Sequence, residues 1–422
     1  LFKGKRGYKV EFYDGQEFEG SPIETKNLEG GKFWALGGFG LDIVSTAKKP
    51  SLSVRFSGIL KPEISGEYDF EIFSIGPSRL SIDNEDLIDN WSTQEPGDAF
   101  FGMGSKAKRG QKKLEAGNEY SIQIEYKWEG RFPAVQIGML APDEHDLMEA
   151  AVSLASESDA TILIVGTNSD WETEGNDRDS LQLPLRQNEL IKKVCEANKN
   201  TVVVLNTGSP CEMPWNEEAQ AILQCWFPGQ EFGNSLADII FGHVNPSGKL
   251  PTTFPVKLED TPAFNTYPGK DLQMDYEEGL YIGYRWYEKE KITPLYPFGH
   301  GLSYTSFDYS NFRAIPPKGT SSVAAFEVNI TNTGSEQGKE VVQCYSSVQN
   351  SKIERPLKEL KKFQKIDLAP GESKKIIFEV NERDLSYWNE ETKTWQVEPA
   401  QYIFELGSSS EDIRESVEVW LG

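Results

Sequence analysis

Residues 160–184 read Ala160-Thr-Ile-Leu-Ile-Val165 and then Gly166-Thr-Asn-Ser-Asp-Trp-Glu-Thr-Glu-Gly-Asn-Asp-Arg-Asp-Ser-Leu-Gln-Leu-Pro184, and the fold turns on them. The first six residues form a nearly unbroken apolar run, which predicts a strand buried within a sheet. The strand leads into a loop with two glutamates, Glu172 and Glu174, an aromatic, Trp171, and a flexible Gly175. In an open α/β sheet, chemistry collects on loops just beyond the carboxyl ends of the strands. A carboxyl group beside an aromatic ring suits a sugar, because it offers a proton donor and an apolar face for a pyranose. The plain alternative is a pair of solvated carboxylates on a very acidic surface.

The same periods extend outward from this stretch. Leu147, Ala150, Ala151 and Leu154 recur at helical spacing within 143–158, and 187–198 is again helical. Residues 201–205 and 219–225 are further apolar runs. Helix alternating with buried strand predicts a largely parallel α/β sandwich over 141–310. On either side the period falls to two. Residues 8–13, 52–57, 66–73, 80–82 and 120–126 alternate apolar with polar side chains between turn residues, which predicts an antiparallel β-sandwich over 1–140. Residues 324–332, 341–346, 374–380 and 401–406 do the same, with turns at Thr333-Gly334 and Pro370-Gly371, and predict a second β-sandwich over 311–422. The expected fold class is therefore multidomain, α/β plus all-β.

Composition removes several function classes. Acidic residues number 66 against 43 basic ones, a net charge of −23 in 422 residues. Such a surface repels nucleic acid and anionic membranes, so neither is expected as a partner. No apolar run approaches the roughly 18 residues that a membrane-spanning helix needs. Cys195, Cys211, Cys225 and Cys344 lack CxxC spacing, and the histidines are only His145, His243 and His300. The cysteines are accordingly read as buried thiols, with no metal site and no cofactor. No GxGxxG follows a strand, so nucleotide binding has no support. Two sequons, Asn90-Trp-Ser92 and Asn329-Ile-Thr331, would be usable only in a secretory route. The chain opens on Leu1 without a signal peptide and reads as a piece of a longer polypeptide, secreted or cytoplasmic.

Several segments carry a family resemblance. Glu174-Gly175-Asn176-Asp177-Arg178 with Leu183-Pro184 and Gln187 is one; Pro228-Gly229-Gln230-Glu231-x-Gly233-Asn234 and Gly242-x-x-Asn245-Pro246-Ser247-Gly248-Lys249-Leu250-Pro251 follow. Glu278-Gly279-Leu280-Tyr281-x-Gly283-Tyr284-Arg285 and 297–305, Pro-Phe-Gly-His-Gly-Leu-Ser-Tyr-Thr, come next, and Arg355-Pro356-Leu357-Lys358-Glu359-Leu360 closes the series. In this order they resemble the C-terminal half of glycoside hydrolase family 3, the β-glucosidase family. Gly66-x-Tyr68-x-Phe70, Arg79-Leu-Ser-Ile-Asp83 and Asp89-Asn90-Trp91 resemble the protective-antigen-type domain inserted in some of its members. In yeast-adhesin relatives that domain binds sugar through calcium on a paired-aspartate loop. Here the loop reads Ser74-Ile75-Gly76-Pro77 and lacks the hard oxygen ligands that Ca²⁺ requires. The last sandwich resembles the family's fibronectin type III-like module.

The resemblance implies more than the residues do. It implies that the first strands of the α/β sandwich and an upstream catalytic barrel lie outside this sequence, and that the barrel holds an aspartate nucleophile. Glu174, directly before Gly175-x-Asp177-Arg178, would be the acid/base, with Glu172 as runner-up if the loop register slips. Trp171 would line the leaving-group subsite, or pack at the strand end. Asp177 and Arg178 would form an ion pair that organises the loop. Within Gly97-Asp-Ala-Phe100-Phe101-Gly-Met-Gly104, two adjacent aromatics cannot both face inward from a β-ladder, so Phe100 or Phe101 would wall the site. Glu231 and His300 are read as turn residues. The implied substrates are β-glucosides or cello-oligosaccharides, the implied partner is the barrel of the same protein, and homo-oligomers are open to it. Rival readings are a non-catalytic carbohydrate-binding or adhesion fragment, and another family activity such as β-xylosidase.

Overall fold

The computed structural model describes residues 7–30, 32–34, 51–97, 99–129, 133–142, 147–174 and 177–422. The chain divides into two compact units, Leu1–Ala150 and Ala151–Gly422. Antiparallel strands build two sheets in the first unit. One sheet runs, in spatial order, Glu24–Leu28, Tyr8–Asp14, Ser51–Leu60, Tyr120–Glu129, Ser78–Ile82 and Glu85–Asn90. The other runs Lys32–Trp34, Ala134–Leu140, Gly66–Ile75 and Lys108–Leu114. Alternation sets which face is buried. Tyr68, Phe70 and Ile72 turn inward against Phe12, Val54, Leu80 and Ile124, while Glu67 and Asp69 stay in water. Burying a side chain of that size is worth roughly 1.5–3 kcal/mol, which closes the sheets on that face.

A polar seam crosses this core. Asn90, from the first sequon, is fully buried, and its amide nitrogen lies 3.0–3.1 Å from the hydroxyls of Ser74, Ser78 and Ser105. In the folded chain that asparagine is closed to a glycan; the amide serves packing instead. The Ser74–Pro77 loop closes on neutral groups, with the Ser74 hydroxyl donating to the Gly76 carbonyl at 2.6 Å.

In the second unit three parallel strands, Thr161–Gly166, Thr201–Asn206 and Ala221–Gln224, lie side by side in sequence order. The central strand is enclosed, with Val203, Val204 and Leu205 at 0% exposure. Helix Gln187–Ala197 covers it through Ile191, Val194 and Cys195, an i, i+3, i+4 stripe. The first strand departs from expectation. Its run reads as buried, yet Ile162 and Ile164 are 48% and 52% exposed, as are Leu147 and Leu154 of helix Leu147–Ser156 at 73% and 68%. The strand stands at the sheet edge with one face uncovered, so only Val165 on the other face is buried. The segment 143–146, with His145, lies outside the described residues. Cys195, Cys211 and Cys344 are buried free thiols and Cys225 is half-buried.

Residues 307–421 form a β-sandwich. Strands Phe307–Ile315, Ser322–Asn332 and Ser373–Asn381 make one sheet, and Glu359–Leu368, Gly338–Val348, Ala400–Gly407 and Ile413–Leu421 the other. Phe326 and Phe404 meet between them with ring centroids 4.3 Å apart. The junction with the α/β layer is made of paired charges. Lys249 reaches Glu340 at 3.2 Å, Lys358 reaches Glu288 at 2.9 Å, and Arg285 reaches Glu359 at 3.5 Å. The Tyr284 hydroxyl accepts from the Leu360 amide at 2.8 Å, and its ring stacks on Phe298 at 5.0 Å. The family-like segments at 242–251, 278–285, 297–305 and 355–360 therefore meet here, as joinery.

Candidate active site

The strand Thr161–Gly166 ends against a side chain. Gln187, at the start of its helix, receives the Gly166 amide at 2.8 Å and returns a bond to the Gly166 carbonyl at 2.9 Å. The chain then turns on Asn168. Its side chain accepts from the Asp170 amide at 2.9 Å, and its carbonyl accepts from the amides of Trp171 and Glu172 at 3.1 and 2.9 Å. Asparagine favours such turns because its side chain bonds its own backbone two residues on.

Glu172 points back into the protein. One carboxylate oxygen accepts from the Thr167 hydroxyl at 3.0 Å, from Arg178 at 3.2 Å and from the Ser209 hydroxyl at 3.2 Å. Arg178 in turn donates to Ser209 at 2.7 Å. The two charged side chains are only 12% and 16% exposed. Gly208 makes the room, since a Cβ there would lie 2.3 Å from the other Glu172 oxygen. Beneath the cluster the Cys211 thiol is pushed up to about 12 by burial, so it is no nucleophile. Reasoning from sequence misses Thr167, Gly208 and Ser209; the signal for the last two is the Thr207-Gly-Ser-Pro210 turn directly after the neighbouring strand.

Glu174, two residues on, lies in a turn and is exposed. Trp171 is 42% exposed. The expected ion pair has a different partner: Arg178 pairs with Glu172, whereas Asp177 lies beside Tyr267, whose hydroxyl it holds above its ordinary pKa. Asp177 and Arg178, though adjacent, thus reach different neighbours. Gly175 and Asn176 lie outside the described residues. Residues 97–104 also differ from expectation. Ala99–Gly102 is one helical turn rather than part of a ladder, with Phe100 at φ 54 and its ring 5.5 Å from Phe73. The side chain of Phe101 lies outside the described residues. Glu231 sits in a short 3-10 turn and accepts from Asn234 at 2.7 Å, and His300 stacks on Tyr296 at 5.0 Å. Among the described residues no group of three His, Cys, Asp or Glu is placed to hold a metal ion. Of the loop's two glutamates, one is held in a network and one is presented to solvent.

Known proteins resemble this chain over most of its length. Residues 71–304 match the glycosyl hydrolase family 3 C-terminal domain, and residues 340–410 match a fibronectin type III-like domain. A β-glucosidase of Kluyveromyces marxianus is 40% identical over 379 residues, which are 87% of this chain and 44% of that protein. A β-glucosidase of Rhizobium radiobacter is 37% identical over 98% of this chain and 51% of its own length. The crystal structure of the Kluyveromyces enzyme in complex with glucose superposes with a TM-score of 0.88 at 37% identity, covering 99% of this chain and 50% of that one. The chain thus spans about half the length of the relatives it matches.

Proposed function

We propose, because this chain belongs to glycosyl hydrolase family 3, that the intact protein releases terminal non-reducing β-D-glucosyl residues and that Glu174 is its acid/base. The observation that carries this is the division of labour in the loop: Glu172 is taken up by Thr167, Arg178 and Ser209, while Glu174 stands exposed just beyond a parallel strand. As the bond from C1 to the leaving oxygen breaks, the Glu174 carboxyl gives that oxygen its proton and a carboxylate from outside this chain attaches to C1. Glu174, now a carboxylate, takes a proton from water as the water oxygen attacks C1 and frees the nucleophile. Two inversions leave the configuration retained.

In this proposal Trp171 walls the aglycone side, and β-glucosides or cello-oligosaccharides are the substrates. The working limits are a protective-antigen-type sandwich at 1–140, the α/β sandwich at 141–310 and the fibronectin-like domain at 311–422. Strands outside this sequence would cover Ile162 and Ile164. The chain alone, without the nucleophile, has no covalent route and is expected to be inactive. The test is Glu174→Ala in the intact polypeptide. Turnover of glucosides with poor leaving groups should fall by about 10²–10⁴, the usual worth of general acid–base catalysis. Azide should restore turnover on an activated aryl glucoside and yield glucosyl azide. Unchanged activity would remove the assignment.

A further inference from the structure

We infer that Glu172 is a positioning residue whose bonds to Arg178, Thr167 and Ser209 set where Glu174 stands; this rests on the acid/base role proposed above. Glu174 lies in sequence between Glu172 and Arg178, whose side chains are bonded to each other at 3.2 Å. The same carboxylate oxygen is held by Thr167, where the strand runs into the loop, and by Ser209, on the turn after the central strand. One oxygen therefore ties the start of the loop, its end and the neighbouring strand of the sheet. Gln187 fixes the entry by closing both backbone groups of Gly166.

The chemistry of the tie is specific. A second terminal nitrogen of Arg178 is buried without a hydrogen-bond partner, so Glu172 is the carboxylate that compensates this guanidinium. Gly208 leaves the carboxylate its space: any side chain there would overlap an oxygen of Glu172 and the ring of Phe227. Without the tie, Glu172 and Arg178 are free to part. An acid that must meet a leaving oxygen within hydrogen-bond reach then loses its aim while keeping its chemistry.

The experiment separates aim from folding by the leaving group. In the intact protein, kcat/KM is measured for Glu172→Gln over aryl and alkyl β-glucosides of rising leaving-group basicity. A dinitrophenolate departs without a proton, whereas a phenol or alcohol needs one. The expected result is a loss of about 10²-fold on the poorest leaving groups, the scale of a misplacement near 1 Å, and less than about threefold on the dinitrophenyl glucoside. Gly208→Ala should give a slope of the same sign. An equal loss across the whole series would mean only fewer folded molecules and would overturn the inference, as would no loss. Should Glu172→Gln fail to fold, Ser209→Ala removes one bond alone; a graded loss of smaller size supports positioning, and a flat profile refutes it. Glu174→Ala run on the same series distinguishes the two claims. A steep profile there with a flat one for the Glu172 and Ser209 variants sinks only the positioning role. Azide rescue of Glu172→Ala but not of Glu174→Ala exchanges the roles and sinks both.

Discussion

The loop at 166–178 and the junction between the α/β layer and the C-terminal sandwich use the same materials to different ends. Both are built from family-like segments, and both bury ion pairs to a similar depth. In the junction every acid named has its base: Glu340 has Lys249, Glu288 has Lys358 and Glu359 has Arg285. In the loop Glu172 has Arg178, and no ion pair to Glu174 exists among the described residues. The junction closes on itself, whereas in the loop Glu172 is held and Glu174 is left open. Half-buried pairs gain little net stability over apolar packing, but losing one partner strands the other. The two regions should therefore respond to mutation in opposite currencies, activity in one and stability in the other.

The largest effect that could break this contrast belongs to Glu174→Ala, expected to abolish most turnover of the intact protein while leaving Tm where it was. A loss of Tm comparable to that of a junction mutant would show that Glu174 is joinery too. Next in size is Glu340→Ala, which leaves the Lys249 ammonium 13% exposed and without its carboxylate. It should cost about 3 kcal/mol in denaturant unfolding with kcat per folded molecule unchanged. Ser209→Ala should cost about 1 kcal/mol, the worth of a hydrogen bond, and in addition alter leaving-group dependence, since it touches both currencies.

The smallest effect is on pH. Burial, with Lys249 nearby, holds the His300 imidazole below its ordinary value of 6.5. Below that value the unfolded chain takes up a proton that the folded chain still refuses, so stability falls as pH drops until His300 itself titrates in the fold. His300→Gln should flatten the decline of Tm between pH 7 and pH 5. An unchanged slope would mean that other groups set the acid limit.

Much of this is legible in the sequence because it is written locally. A run of β-branched residues, a stripe at 191, 194 and 195, and alternation at 66–73 each state their period within a few positions. The proposal of Glu174 rests on the same kind of local signal, its place next to Gly175. The rest depends on residues distant along the chain. Glu172 meets Ser209 across 37 positions, and nothing near Glu172 marks it as the held acid and Glu174 as the free one. The sequence suggests that Arg178 bonds its neighbour, yet its carboxylate comes from Glu172, 6 positions earlier. Asn90 carries the sequon, but the hydroxyls that enclose it come from three other positions. Ile162 and Ile164 read as buried because an apolar run does not say whether both sides of its sheet are covered.

Gln187 carries one more consequence. Thr161 and Thr167 donate toward Asn200 and Asn206, beside and within the central strand, so the even-numbered residues between them turn their backbone groups to the sheet's outer edge. At Gly166 that edge is already occupied by the Gln187 amide, which imitates a peptide bond of an adjoining strand. Any polypeptide that extends the sheet on this side can couple at Ile162 and Ile164 and must halt there. The amide is a terminus for sheet growth, and it keeps the loop that follows Gly166 from being zipped into a ladder.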